Sequence, residues 1–492
     1  MGRDVPAITI TRQDRRTYRE KIRTCLDVLQ RMLDESWFVS SVPRVGLEIE
    51  FNLVDADGHA ARTNERVLAA IGRPAWASEL GQFNIEFNSD PVDLAGDVFT
   101  ELEAAVGGVL EHAFDCAKAQ GSRIAMVGIL PSLRDSDVGE DAISSNPRYR
   151  LLNDQIMAAR GEEIRISIDG PEPLHAYADS ILLEAACTSV QCHLQVSPDV
   201  FANYWNAAQM TAGIQVAIGA NAPYLLGHEL WQETRIALFK QATDTRSEEM
   251  RRQGVRPRVW FGERWITSAS DLFEENLRYF PALLPLCEDD DPVAVVERGE
   301  VPDLAELALH NGTVYRWNRP VYGLAEGRPS LRVENRVLPA GPTLTDVLAN
   351  AAFFYGLVHE LAMAPSPVWR QMSFTAADAN LTAGARHGLG AAVYWPGFGV
   401  IGVADLTLRH LLPLAEAGLA GWGVDRADAS RLLGVIERRC VTGQNGAAWQ
   451  VRSARRIERA GVADRAEALR LMTQGYIDRM NTKEPVHTWP IM

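Results

Sequence analysis

Polar and apolar positions alternate with a period of two in four separate stretches of the chain, and follow a helical period in much of the remainder. Residues 11–38 place Ile22, Cys25, Leu26, Leu29, Met32 and Leu33 at helical spacing, which predicts a leading helix. From Val45 the period changes. Over 45–54, Val45, Leu47, Ile49, Phe51 and Leu53 share one face of a strand, and Glu48, Glu50 and Asn52 share the other. A second strand is predicted over 81–88, with Phe83, Ile85 and Phe87 opposing Gln82, Asn84, Glu86 and Asn88. Residues 97–120 predict a helix, and RIAMVGILP (123–131) a strand after it. The strand at 188–197 sets Val190, Cys192, Leu194 and Val196 against Gln191, His193 and Gln195. A helix is expected over 201–220. The strand at 331–338 sets Leu331, Val333 and Val337 against Arg332, Glu334 and Arg336, and a long buried helix follows over 343–362. From about 405 the chain is rich in Ala, Arg, Leu and Glu, which predicts helices near 406–418, 426–439 and 447–477. No repeat or low-complexity linker marks a boundary. The expected organisation is an α+β core over 41–404, an N-terminal helical segment (1–40) and a helical C-terminal region (405–492).

The 492 residues carry 49 Lys+Arg against 64 Asp+Glu, a net charge of −15, with 47% hydrophobic residues. Such a composition excludes wholesale disorder, and the acidic balance argues against a nucleic-acid surface. No apolar window reaches membrane-spanning length, and residues 1–21 have neither the apolar region of a signal peptide nor the Ser/Thr of a myristoylation site. The six cysteines (25, 116, 187, 192, 287, 440) are scattered without a CxxC, as expected of reduced cytoplasmic thiols. A soluble cytoplasmic protein with no membrane and no nucleic-acid partner is the expectation, with assembly into a homo-oligomer left open.

Four strands thus present apolar side chains behind and carboxylate, amide, imidazole or guanidinium groups in front. Ordinary antiparallel strands with one solvated face also alternate. Composition separates the two readings: solvated faces are usually rich in Lys, Ser and Thr, whereas these faces contain no Lys and concentrate Glu, Gln, Asn, His and Arg. Those are the groups that ligate a hard divalent cation such as Mg²⁺ or hydrogen-bond a polar ligand. Glu48, Glu50, Glu86 and Glu334 offer carboxylate oxygens, and His193 a nitrogen. Four carboxylates facing one another repel, so they require cations between them. Arg332 and Arg336 can neutralise them in part, or hold a phosphate or carboxylate through paired N–H donors.

Five blocks then occur in order: GLEIEF (46–51), ELGQFNIEFNSDPVDL (79–94), SVQCHLQV (189–196), ANAPYLLGHELWQETR (220–235) and LRVENRVLPAGPT (331–343). Together they resemble the glutamate–cysteine ligase family, particularly its bacterial carboxylate–amine ligase branch within the glutamine synthetase-like superfamily. The resemblance implies a curved antiparallel sheet whose polar concave face binds ATP and Mg²⁺, with helices packed on the other face. It implies activation of a γ-carboxylate as an acyl phosphate, which an amine then attacks. Glu48, Glu50, Glu86, His193 and Glu334 match the family's metal ligands. Arg336 matches an arginine that stabilises the transferring phosphate, with Arg332 beside it, and Arg235 a substrate-binding arginine. The sequence departs from the family's Gly-Gly-Gln-x-Glu second block, so either Glu79 or Gln82 joins the site. Asn335 falls on the apolar face of its strand without explanation, and the helical tail has no counterpart among the blocks.

Other features extend these expectations. The loop HNGTVYRWNRPVYG (310–323) sets Arg316 and Arg319 among aromatic residues, suited to clamping a carboxylate or stacking on adenine. Gln191 and Gln195 are further candidates for the nucleotide, and Arg148 and Asn84 for the substrate. GARHGLGAA (384–392) reads as a turn, and RSARRIER (452–459) as a solvated helix face. The expected protein is an ATP- and Mg²⁺-dependent ligase acting on glutamate or a similar carboxylate and on cysteine or another amine. A glutamine synthetase-like or guanidine-phosphorylating enzyme, and a non-catalytic nucleotide- or carboxylate-binding regulator, are the alternatives.

Overall fold

The computed structural model describes residues 10–38, 43–461 and 463–492. The leading helix α1 (Arg12–Asp34) starts at Thr11, whose side chain accepts from the Asp14 N–H while the Asp14 carboxylate accepts from the Thr11 N–H. The alternating stretches become strands of one eight-stranded antiparallel sheet: β1 (Arg44–Val54), β2 (Trp76–Ser78), β3 (Asn84–Asn88), β4 (Val92–Asp93), β5 (Arg123–Ala125), β6 (Ser189–Val196), β7 (Asn318–Ala325) and β8 (Arg328–Pro339). Their order is β7-β8-β6-β1-β3-β2, with β4 and β5 also paired to β1. The sheet curls into a half-barrel, as expected. Register decides what meets on the polar face, because directly opposed residues point the same way. Glu50 faces Glu86, Glu48 faces Gln191, His193 faces Glu334, and Glu334 faces Arg319.

Behind the sheet lie helices α4 (Pro198–Gly219) and α5 (Leu344–Met363), both buried over most of their length. From α5, the Tyr355 hydroxyl lies 3.2 Å from the carbonyls of Gly46 and His193, pinning the backs of β1 and β6 together. Helix α2 (Val98–Ala119) forms as expected, and α3 (Pro147–Arg160) begins at Asn146, whose side chain accepts from the Arg148 N–H. Asn335 gains an account. It donates to Asn318 at 2.8 Å, Asn318 donates to Gln209 of α4 at 2.6 Å, and Gln209 donates to the Phe261 carbonyl. A buried amide chain thus joins the sheet to the helix behind it, each link satisfying a polar group that has no water.

The C-terminal helices are α6 (Leu412–Gly421), α7 (Arg426–Thr442), α8 (Gly446–Arg459) and α9 (Arg465–Met480). They pack into the same hydrophobic core as the sheet. Gly356 of α5 and Gly418 of α6 meet backbone to backbone, and a Cβ on either would collide with the other helix. Arg439 of α7 pairs with Asp346 of α5 at 2.7 Å, with both side chains buried. The single helix expected over 447–477 is two, separated by a turn at Gly461 (φ +69°) and restarted by the Asp464 cap.

Two strand expectations are also corrected. Residues 81–83 form a turn, so the second strand begins at Asn84. Of 123–131 only the first three residues pair, because the following backbone groups are taken elsewhere. Asn52 donates to the Val127 carbonyl at 3.2 Å, Tyr476 to that of Met126 at 2.8 Å, and the Gly128 N–H donates to Asn221 at 3.3 Å. All six cysteines are unpaired. Among the described residues no helix is long and apolar enough to cross a membrane.

Candidate active site

The polar face gathers its acidic groups into two triads. In the first, Glu48, His193 and Glu334 offer ligand atoms within 4.8 Å of one another; in the second, Glu50, Glu79 and Glu86 do the same. Gln191 stands between them: its amide N–H donates to Glu50 at 3.0 Å and its carbonyl accepts from Arg336 at 2.5 Å.

The first triad is held by arginines. Arg319 donates to both oxygens of Glu334, at 2.7 and 2.8 Å, and Arg336 adds a third bond at 2.5 Å. Burial alone would raise the Glu334 carboxyl, but these guanidinium groups hold it well below the ordinary carboxylate range. Glu48 follows the same balance: burial opposes ionisation, the His193 ring outweighs it, and the carboxyl stands at about 2. His193 Nε2 lies 3.0 Å from the Glu48 carboxylate. Its other nitrogen, Nδ1, accepts from Arg332 Nε at 3.1 Å.

The second triad lacks such partners. Glu86 is pushed up to about 7 by burial and by the charges of Glu48 and Glu50, despite a bond from Asn88 at 2.7 Å. Glu79 is raised well above its ordinary value by burial and by Glu86 and Glu50. Glu50 accepts from the Ser189 N–H at 2.6 Å, and burial still lifts it above its ordinary value. Glu184, on the turn Ile181–Ala186, is driven to about 8 by burial and Glu50.

The five sequence-derived metal candidates therefore converge, distributed over both triads. Glu79 faces the triad, whereas Gln82 donates to the carbonyls of Asp141 and Ile143. The donor set suits divalent cations: three carboxylates that repel one another in one place, and two carboxylates with an imidazole nitrogen in the other. Arg319, Arg332, Arg336 and Gln191 lie on this face, and Gln195 opposes Arg332 in register. Asn84 is on the face but deep, donating to Asn52 at 3.2 Å. Arg148, at the start of α3, is half-buried, and its Nε has no partner among the described residues.

Two expected ligand-binding arginines are placed elsewhere. Arg316 is buried against the helix Ala269–Tyr279, bonded to Glu275 at 2.9 Å and Asn276 at 3.1 Å. Arg235 is buried beneath β8, where it bonds Glu233 and backbone carbonyls. Glu184 was missed by sequence reasoning. Its signal is a lone carboxylate inside the apolar run ILLEAA, a placement that needs a reason.

The model of glutamate–cysteine ligase family 2 matches residues 44–480, a span that runs through the C-terminal helices. No curated protein sequence matches at a significant level. The glutamate–cysteine ligase of Francisella tularensis, solved in complex with AMP, superposes with a TM-score of 0.55 at 14% identity, covering 93% of this chain and 91% of that one. A bifunctional glutathione synthetase from Pasteurella multocida gives 0.48 at 13% identity, covering 93% of this chain and 55% of the other. The first of these shares the half-barrel fold, and the family match extends over most of the chain. The chain belongs to glutamate–cysteine ligase family 2 and is an enzyme of the ligase class.

Proposed function

We propose that this ligase uses ATP and Mg²⁺ to join a γ-carboxylate, that of glutamate, to an amine, cysteine or another, through an acyl phosphate. The observation that carries the reading is the pair of triads on one sheet face, bridged by Gln191 and bordered by Arg319, Arg332 and Arg336. Phosphoryl transfer asks for positioning and charge stabilisation around the transferring group rather than a nucleophilic side chain, and this face supplies that kind of environment. Glu48, His193 and Glu334, and separately Glu50, Glu79 and Glu86, are the residues that would hold divalent cations. When bound, such ions offset the carboxylate charge and polarise the phosphates.

The roles of the chain's own groups follow. Arg336 and Arg319 bear guanidinium donors that can pass from Glu334 to a developing phosphate charge. The substrate carboxylate oxygen attacks the γ-phosphorus of ATP and ADP leaves. The amine then attacks the acyl carbonyl, and inorganic phosphate departs with one former carboxylate oxygen. Arg148, with an unpartnered donor near Tyr315 and Tyr149, is suited to the carboxylate of a substrate.

Incubation with ATP, Mg²⁺, glutamate and a panel of amines, following ADP and amide together, tests the reading. Equal amounts of ADP and one γ-glutamyl amide are expected. Tight ATP binding with no ADP from any amine would sink it in favour of a binding module.

A further inference from the structure

The path of β8 past Gln191 ties the C-terminal helices to Arg336. Asn335 faces Cys192 and Leu338 faces Val190, so Arg336 and Val337 together oppose the single residue Gln191. A bulge of this kind re-aims a side chain and leaves backbone groups outside the ladder. Here the Arg336 N–H donates to the Trp317 carbonyl at 2.8 Å. The carbonyls of Arg336 and Val337 accept from Nη1 and Nη2 of Arg235, at 3.5 and 2.5 Å.

Arg235 is itself held from behind. Its Nε donates to Glu233 at 3.1 Å, and the two residues are 3% and 0% exposed. The other Glu233 oxygen accepts from the Asn221 N–H at 2.9 Å. The Asn221 side chain donates to the Ala340 carbonyl, just past the bulge, at 2.7 Å, and to the Tyr476 oxygen of α9 at 2.8 Å. Gln450 of α8 donates to the Asn221 side-chain oxygen at 2.8 Å. Gly446 permits the approach of α8, since a Cβ there would collide with the Asn221 amide. Every member of this chain is buried. A planar fork of N–H donors suits two successive carbonyls and a carboxylate, which a lysine's point charge does not.

We propose that Arg235 is a positioning residue: it clamps the bulge that aims Arg336 across the polar face, and α8 and α9 hold the clamp through Asn221. The inference rests on the role given above to Arg336. It assigns the helical tail a part in catalysis exerted through Asn221 and Arg235, and it replaces substrate binding by Arg235 with action through the backbone of β8.

The test uses the full chain in five forms: wild type, Arg235→Lys, Tyr476→Phe, Arg336→Lys and the Arg235→Lys/Arg336→Lys double variant. Two quantities are measured, amide hydrogen exchange over residues 333–341 and the kcat and KM for ATP. Arg235→Lys is expected to speed exchange at 336–340 and to lower kcat about 10- to 100-fold with KM unchanged, the scale of a small misplacement in an active site. Tyr476→Phe, which retains the buried ring, is expected to do the same more weakly, and it decides the matter if Arg235→Lys does not fold. In the Arg336→Lys background the loss from Arg235→Lys should vanish, because one residue acts through the other. Unaltered exchange in both single variants overturns the clamp. Faster exchange with full kcat, or an equal loss with and without Arg336, overturns positioning. Full activity in Arg336→Lys overturns the catalytic role of Arg336, an outcome separable from the clamp because exchange reports on that independently.

Discussion

The two triads share one sheet face and are both built mainly of carboxylates, yet those carboxylates are driven in opposite directions. Glu334 takes three bonds from Arg319 and Arg336, and Glu48 lies against His193, so both carboxyls at this end are held below the ordinary range. Glu79 and Glu86 have each other and Glu50 for neighbours, and burial with like charge keeps them protonated well above the ordinary value of 4.5. Electrostatic preparation therefore differs along one face. The carboxyls of the first triad are held low by groups of the chain itself, whereas those of the second are raised, and under the function proposed above a cation would offset them. Because Nδ1 of His193 already accepts from Arg332, ligation through Nε2 also requires that contact to be released.

Substitution should break the comparison most sharply. Glu334→Gln is expected to lower the amide-forming rate on the order of 10²- to 10³-fold, the cost of removing a preorganised charge from a site of this kind. It also strips two guanidinium groups of their buried partner, so the cation-free variant should melt below wild type in calorimetry. Glu79→Gln should act on stability with the opposite sign. It removes a carboxylate that must otherwise stay protonated or repel Glu86 and Glu50, so the cation-free variant should melt above wild type at pH 8 even as Mg²⁺-dependent activity falls. Stability gained where function is lost is the mark of a site built against the fold's own preference.

A smaller effect is expected from pH. Glu86, raised to about 7, and Glu79, raised well above its ordinary value, retain protons in the folded chain that they release when unfolded above 4.5. The folded state then binds more protons between those values, so stability falls as pH rises from about 5 to 8. The depressed carboxyls of Glu48 and Glu334 lose their contribution only as pH falls below 4.5 toward 2, outside that window. The melting temperature of the cation-free protein should accordingly decline across pH 5–8, and millimolar Mg²⁺ should flatten the slope. A slope unaffected by Mg²⁺ would remove the second triad from the list of cation sites.

What could be read from the chain, and what could not, follows from how locally each feature is encoded. Alternation in β1, β3, β6 and β8 is a local signal, and it exposed the polar face together with Glu48, Glu50, Glu86, His193 and Glu334. The pairing that sorts these into two triads depends on register, and Glu79 and Glu184 arrive from a loop and a short turn with no period to betray them. Arginines were the hardest to place. Arg319, Arg332 and Arg336 lie on the face, but Arg235 bonds its near neighbour Glu233 and carbonyls a hundred residues away, and Arg316 bonds Glu275 and Asn276 some forty residues before it, partners that no motif displays. The strand expected beyond Ala125 failed for a related reason: its backbone bonds go to Asn52, Thr188 and Tyr476 side chains. Tertiary partners, not local propensity, settled those places.

The central claim is that this face activates a carboxylate by phosphorylation. Glutamate carrying ¹⁸O in its γ-carboxylate, turned over with ATP, Mg²⁺ and the accepted amine, tests it most directly through mass analysis of the phosphate released. One ¹⁸O atom in each inorganic phosphate, matched by one amide, is the result this account requires. Phosphate free of label, with ATP consumed all the same, would contradict it.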